Sequence, residues 1–195
     1  MSRYYAGLLF TIGVIEFFIG LLWAEATYPG YSIANNTISS LGSMICQGDQ
    51  CHFNEPAASI FNSSVTILGI LIVIGAYLLW NMQRGLAITL IITGIGAIGV
   101  GLTLAFHSAP ILHTLVSFIT FLFAGISALL STTIFKNWLR FVSPLMGLVS
   151  LISMVLFATG NYLGLGIGGM ERMIVYPVLL WGLAFGGYLS REKEA

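Results

Sequence analysis

The chain has 195 residues, 57% of them hydrophobic and 7% charged, with zero net charge and a mean hydropathy of +0.96. A water-soluble domain carries about 25% charged residues, so this inventory cannot build an aqueous surface. Balanced charge without a basic cluster leaves no footing for a nucleic acid partner, and one membrane domain over 1–195 is expected.

Six apolar runs predict an all-α integral membrane protein, a six-transmembrane-helix bundle with spans at 4–24, 58–80, 86–106, 111–135, 141–159 and 173–189. Each run has about 17–25 residues, enough to cross about 30 Å of hydrocarbon at 1.5 Å rise per residue. A backbone in lipid must satisfy its own hydrogen bonds, and runs such as 71–74 and 86–92 lack the alternation of a barrel strand.

Helix one competes with a secretory signal peptide, because Ala24-Glu25-Ala26 has a small-x-small pattern. The run exceeds the roughly 7–15 residues of a signal core and Glu16 interrupts it, so it reads as a retained span. A charge at Glu16 costs about 2.5 kcal/mol or more in lipid, which predicts a carboxyl facing the bundle, neutral or paired. The long loop 25–57 follows, free of Lys and Arg. Within it 36–41 fits a short helix capped by Asn36. Cys46 and Cys51 enclose Gln-Gly-Asp-Gln and predict a disulfide in an oxidising exterior. A metal site with His52, or haem attachment related to C-x-x-C-H, are the other readings of that segment.

Asn62 falls about one turn inside helix two. His107 ends helix three and His113 begins helix four, and Pro110 between them fits a tight hairpin that brings both rings to one surface. Imidazole titrates near neutrality and ligates divalent metals, so the pair could bind a metal or exchange protons, or be plain polar interface. Thr93, Ala97, Gly101 and Ala105 form a small-residue stripe, and Gly182 and Gly186 repeat it on helix six; both permit close helix approach, within the chain, in a homo-oligomer or against partner subunits of a membrane complex. The stretch 160–170 is glycine-rich and carries Asn161. Glu171 and Arg172 then flank the outer end of helix six, where a mutual surface pair is the plain explanation, with Tyr176 shortly after.

Arg3, Arg84, Lys136, Arg140, Arg191 and Lys193 fall on one side of this plan, and His52, His107 and His113 on the other. The positive-inside rule therefore expects both termini in the cytoplasm, the long loop outside, and a multi-pass protein of the plasma membrane. By depth, Glu16, Asn62, His107, His113, Asn161, Glu171, Arg172 and Tyr176 form one candidate ligand pocket in the outer half. No Gly-x-Ser-x-Gly elbow occurs and no acid is placed to orient a serine–histidine pair, so no catalytic residue is assigned.

Tyr31-Ser32-Ile33 through Ile38-Ser39-Ser40-Leu41-Gly42, then Ile60-Phe61-Asn62 and Gly69, and finally Gly169-Met170-Glu171-Arg172 with Tyr176-Pro177 and Leu179-Leu180-Trp181, resemble the domain-of-unknown-function 998 family. The resemblance covers nearly the whole chain and implies a six-span prokaryotic, notably archaeal, membrane protein without an assigned activity. Ser40 stands where an acidic residue often follows the Ile-Ser pair in that family. The leading expectation is an accessory subunit or a module binding membrane lipid or a small ligand in a polar, outward-opening pocket. The alternative is an intramembrane metal-dependent hydrolase or transferase acting on outer-leaflet lipid; a transporter and a haem-binding redox protein follow.

Overall fold

The computed structural model describes residues 2–47, 50–105 and 110–191. Six helices are long and apolar enough to cross a membrane. They are α1 (Ser2–Thr27), α2 (Ala57–Leu78), α3 (Arg84–Ala105), α4 (Pro110–Leu130), α5 (Leu139–Ala158) and α6 (Gly166–Ser190). Each helix packs on the next, with α6 returning to α1 to close a ring. The start of α1 and the end of α6 lie together at one end of the bundle, the terminal end, with Gly7 against Ser190; the docked segment 28–42 lies at the other, the loop end.

Bare backbone sets the closest approaches. A Cβ on Gly69 would lie 2.6 Å from the Gly94 carbonyl, and one on Gly94 would lie 2.7 Å from the Gly69 carbonyl, so α2 and α3 touch through both glycines. Gly101 sits against the Asn62 carbonyl of α2, and Gly186 against the Gly7 carbonyl of α1. The small-residue stripes thus make contacts inside the chain.

Helix bounds follow the apolar runs except at α4, which ends at Leu130 and passes into a 3-10 turn over Ser131–Thr133 short of the expected 135, and at α6, which starts seven residues before the expected 173. The glycines that make 160–170 look like a loop let the first turn of α6 carry another segment on its backbone. Gly168 N–H donates to the Ala34 carbonyl at 2.9 Å. A Cβ on Gly168 would meet the Asn36 carbonyl at 2.1 Å and the Ile33 carbonyl at 2.4 Å. The tight α5–α6 turn uses left-handed backbone at Gly160, Leu163, Gly164 and Gly166.

The expected helix over 36–41 is a single 3-10 turn, Ser39–Leu41, and Asn36 does not cap it. The Asn36 Oδ1 accepts instead from the Ser32 amide at 2.9 Å, closing its own turn. Beyond it, within the connection expected as loop, β1 (Met44–Gln47) and β2 (Gln50–Phe53) form an antiparallel hairpin. Its register sets Cys46 directly opposite Cys51. Directly opposed residues lie about 4.5–5.5 Å apart at Cα, inside the reach of a cystine. The Cys46 side chain itself lies outside the described residues.

Two apolar clusters fill the bundle. The loop-end cluster includes Phe17, Leu21, Phe61 and Val65, and takes in Ile38 and Leu41 from the connection. The other surrounds Phe185, which stacks on Trp181 at 5.3 Å and meets Phe10 and Phe135. The 28–42 segment is therefore part of the core, pressed into the bundle mouth by Ile38 and Leu41.

Candidate functional site

Arg172 organises the loop end. It is 5% exposed on the second turn of α6, surrounded by the carbonyls of the docked segment. Its Nη1 donates to Ile33 O at 3.0 Å, Asn36 O at 3.3 Å and Gly168 O at 3.0 Å. Its Nη2 donates to Tyr31 Oη at 2.8 Å and to Glu25 Oε1 at 2.5 Å, the last an ion pair with the final turn of α1. A guanidinium is the side chain that presents several donors in a fixed plane, and here the fan joins three separate segments.

Tyr31 extends that fan: its hydroxyl accepts from Arg172 and donates to Thr37 O at 3.0 Å. Burial pushes its pKa up to about 12, against the opposing pull of the Arg172 charge. The phenol is neutral and remains a donor.

Glu171 does a different job from its neighbour. Its Oε2 accepts from the Ile38 amide, and Ser39 also donates to the carboxylate. The buried carboxylate thus caps the Ser39–Leu41 turn from 133 positions away in sequence. A turn's opening amides are orphan donors, and a negative group there satisfies them. The expected Glu171–Arg172 surface pair is replaced by two buried side chains on separate partners, because consecutive helical residues do not face each other.

Asn62 completes the docking. Its Nδ2 donates to Gly42 O at 3.1 Å, and a Cβ on Gly42 would overlap the Asn62 carboxamide. Tyr176, one turn below Arg172, packs on Phe18 with ring centroids 5.8 Å apart and lines a small lateral cleft with Glu25. Tyr31–Gly42, Asn62, Glu171 and Arg172, from the motifs that carry the family resemblance, therefore meet in one structure, a plug of 28–42 held by α1, α2 and α6.

The remaining expected site residues lie elsewhere. His113 links α3 to α4: its Nδ1 is 3.2 Å from Thr103 Oγ1 and its Nε2 3.4 Å from Ser117 Oγ. His107 lies outside the described residues. Asn161 is exposed on the α5–α6 turn, its Oδ1 accepting from Leu163 N at 3.4 Å. Glu16 lines a lipid-facing groove between α1 and α2, not the bundle interior that burial of a charge favours. His52 is exposed on β2. Among the described residues no three of His, Cys, Asp and Glu converge as metal ligands. Sequence reasoning missed Glu25, Tyr31 and Ser39. The available signal was Arg172 itself, among the described residues the one Arg or Lys at the loop end, which needs an acid nearby; Glu25 leaves α1 at the same level.

Beneath the plug runs an elongated, largely enclosed cavity of about 110 Å³. Ile38, Ser39 and Glu171 form its roof, and Trp181 and Phe185 its floor. From Glu171 to Phe185 the helix rises about 21 Å. The walls come from α1, α2, α3, α4 and α6 and are almost wholly apolar, with Phe17, Val65, Ala97, Phe121 and Val178 typical. Thr93, Ser117 and Thr120 add hydroxyls on the α3–α4 side. The polar, outward-opening pocket expected from depth is thus an apolar tube under a polar plug, because Ile38 and Leu41 turn inward at the mouth. The loosest wall is α4, where no residue from Ile111 to Ile119 is fully buried.

A family profile described as "Protein of unknown function (DUF998)" matches residues 11–188, and the chain belongs to that family. No curated protein and no solved structure matches the chain.

Proposed function

We propose that this multi-pass membrane protein is a lipid-binding module that holds one apolar chain in its central cavity. The observation that carries the reading is the shape and lining of the tube. It is narrow and apolar; a dry apolar cavity of about 150 Å³ takes one benzene ring, so at about 110 Å³ it has room for the end of one alkyl or isoprenoid chain, not for two abreast. Ligand sites are characteristically apolar concavities with a few placed polar groups, and here Ser39, Ser117 and Thr120 offer hydroxyls to a headgroup or chain terminus. The chain enters from the bilayer past the loosely packed half of α4, since the loop end is plugged.

The direct test is mass spectrometry of lipids retained by the purified protein, with the cavity-filling substitution Ala97→Trp as comparison. The proposal expects near-stoichiometric single-chain occupancy in the native protein and loss of it in the filled variant, with folding intact. Equal lipid content in both would overturn it.

The orientation belongs to the same proposal. Arg3, Arg84, Lys136, Arg140 and Arg191 all fall at the terminal end, and Arg3 and Arg191 gather over the Tyr188 ring at 5.3 and 4.3 Å. This charge bias supports cytoplasmic termini in a plasma membrane, with the plug and hairpin outside. There the opposed cysteines of the hairpin form a cystine, closing the Gln-Gly-Asp-Gln loop.

A further inference from the structure

A second concavity lies on the lipid-facing side of the bundle, between α1 and α2 and separate from the central tube. Ile12, Ile19 and Trp23 surround Glu16 on its α1 wall; Ser59, Ser63 and Ser64 line the α2 wall. Glu16 hydrogen-bonds Ser64, while its Oε2 is buried and finds no partner among the described residues. Gly20 makes room for this contact, because a Cβ there would lie 2.0 Å from Ser64 Oγ. Any side chain at position 20 would displace the hydroxyl, so the carboxyl sits in a built niche.

The polarity of the groove changes along its length. At the loop end, Glu55 Oε2 accepts from Ser59 N at 3.2 Å, and Ser63 Oγ donates to Ser59 O at 2.6 Å. Ser59 and Ser63 share one helical face of α2, with Glu55 just before the helix capping that line, and the row steps about 10 Å inward from the start of α2 to the level of Ser64 and Glu16. Past that level the same face of α2 carries Ile67, Ile70 and Ile74, all exposed to lipid. Hydroxyls thus lead to Glu16 from one side only.

The occupant follows from what is absent around the carboxyl. Among the described residues, no cation faces Glu16. Glu55 stands at the groove mouth, and the charged groups of α6 that approach α1, Glu171 and Arg172, are engaged by the plug and Glu25 on the opposite side. One carboxyl and one hydroxyl in contact are too few oxygens for a metal cation, which takes about six or more. An amino-lipid headgroup would have to leave its own layer to reach this depth. A proton needs only the carboxyl and a polar route.

We propose that Glu16 is a proton-exchange site open to the aqueous phase at the loop end alone. The carboxyl gives its proton to water at the hydroxyl ladder, leaving carboxylate and hydronium, and recaptures it by the reverse step. This is independent of whether the central tube holds lipid.

Dicyclohexylcarbodiimide provides the test, because it is apolar and adds to protonated carboxyls to leave a stable N-acylurea. Sealed proteoliposomes with the pH set separately on each side are labelled and mapped by peptide mass spectrometry. The expected result is an adduct on Glu16, absent in Glu16→Gln, that falls by about tenfold per pH unit on the alkaline limb when the loop-end side is raised. Raising the other side leaves it unchanged. Mapping in the native chain locates the adduct even where the variant folds poorly. No adduct on Glu16, an adduct indifferent to pH, or one that follows the terminal-end pH overturns the proposal.

Discussion

Replacing Arg172 with Met removes the centre of the plug while keeping the length and apolar stem of the side chain. The guanidinium donates to three backbone carbonyls, a phenol and a carboxylate, and none of these gains a new donor from methionine. Removing one partner of a buried pair typically costs about 3–5 kcal/mol, because the other charge is left uncompensated. Here Glu25 keeps 16% exposure, so water recovers part of that loss at the carboxylate. The Asn36 carbonyl has less access, and an unsatisfied buried acceptor adds about 1–3 kcal/mol, whereas Gly168 O keeps its helical bond from the residue-172 amide. Arg172→Met should therefore destabilise the protein by about 3–5 kcal/mol. Equilibrium unfolding in detergent, followed by circular dichroism, reads the loss. Hydrogen exchange localises it, with amides of 31–42 losing protection before those of α2 and α3. Arg172→Lys should fall between, since one ammonium keeps the charge but not the planar fan. A methionine variant within about 1 kcal/mol of the native protein, with 31–42 still protected, would refute the reasoning.

Tyr31→Phe should cost about 1–2 kcal/mol through the lost link between Arg172 and Thr37. Because the folded pKa of Tyr31 is raised from 10.0 to about 12, its contribution is complete below pH 10 and is lost as pH climbs through about 12. The native protein should thus weaken over that window more than Tyr31→Phe does, as seen in melting temperature against pH. Glu171→Ala should free the Ser39–Leu41 turn, giving faster amide exchange at Ile38 and Ser39 and a loss of about 1–3 kcal/mol. Gly168→Val should separate the docked segment from α6, since even a Cβ overlaps the Asn36 carbonyl, and limited proteolysis within 28–42 should rise sharply. Non-reducing peptide mapping after cleavage at Asp49 should recover 46 and 51 in linked peptides that reduction separates.

The spans were legible in the sequence because lipid imposes a local rule: about twenty consecutive apolar residues for each crossing. Helix ends and the ring of neighbours follow from short connections. The plug was not legible as structure, since Arg172 reaches Ile33 across 139 positions and Glu171 reaches Ile38 across 133. No local periodicity encodes such pairings. Depth matching brought Asn62, Glu171, Arg172 and Tyr176 to the same end, where they do serve one assembly. For Glu16 the cost of a charge in lipid points to the interior, whereas the structure meets that cost at the α1–α2 seam through Ser64. Glycine misled at 160–170 for a definite reason: a segment rich in bare backbone reads as a loop, yet here it begins a helix whose first turn must accept a neighbouring chain at van der Waals distance.

A bilayer-dissolved alkyl chain carrying a terminal diazirine, photolysed in proteoliposomes and mapped by peptide mass spectrometry, separates an occupied tube from a merely lipid-coated bundle. Chain binding in the interior predicts adducts on tube-lining residues such as Val65, Ala97, Phe121 and Val178, suppressed by Ala97→Trp while adducts on the lipid-facing Leu22, Ile74 and Leu180 persist. Adducts confined to those outer positions, unchanged by filling the cavity, would contradict it.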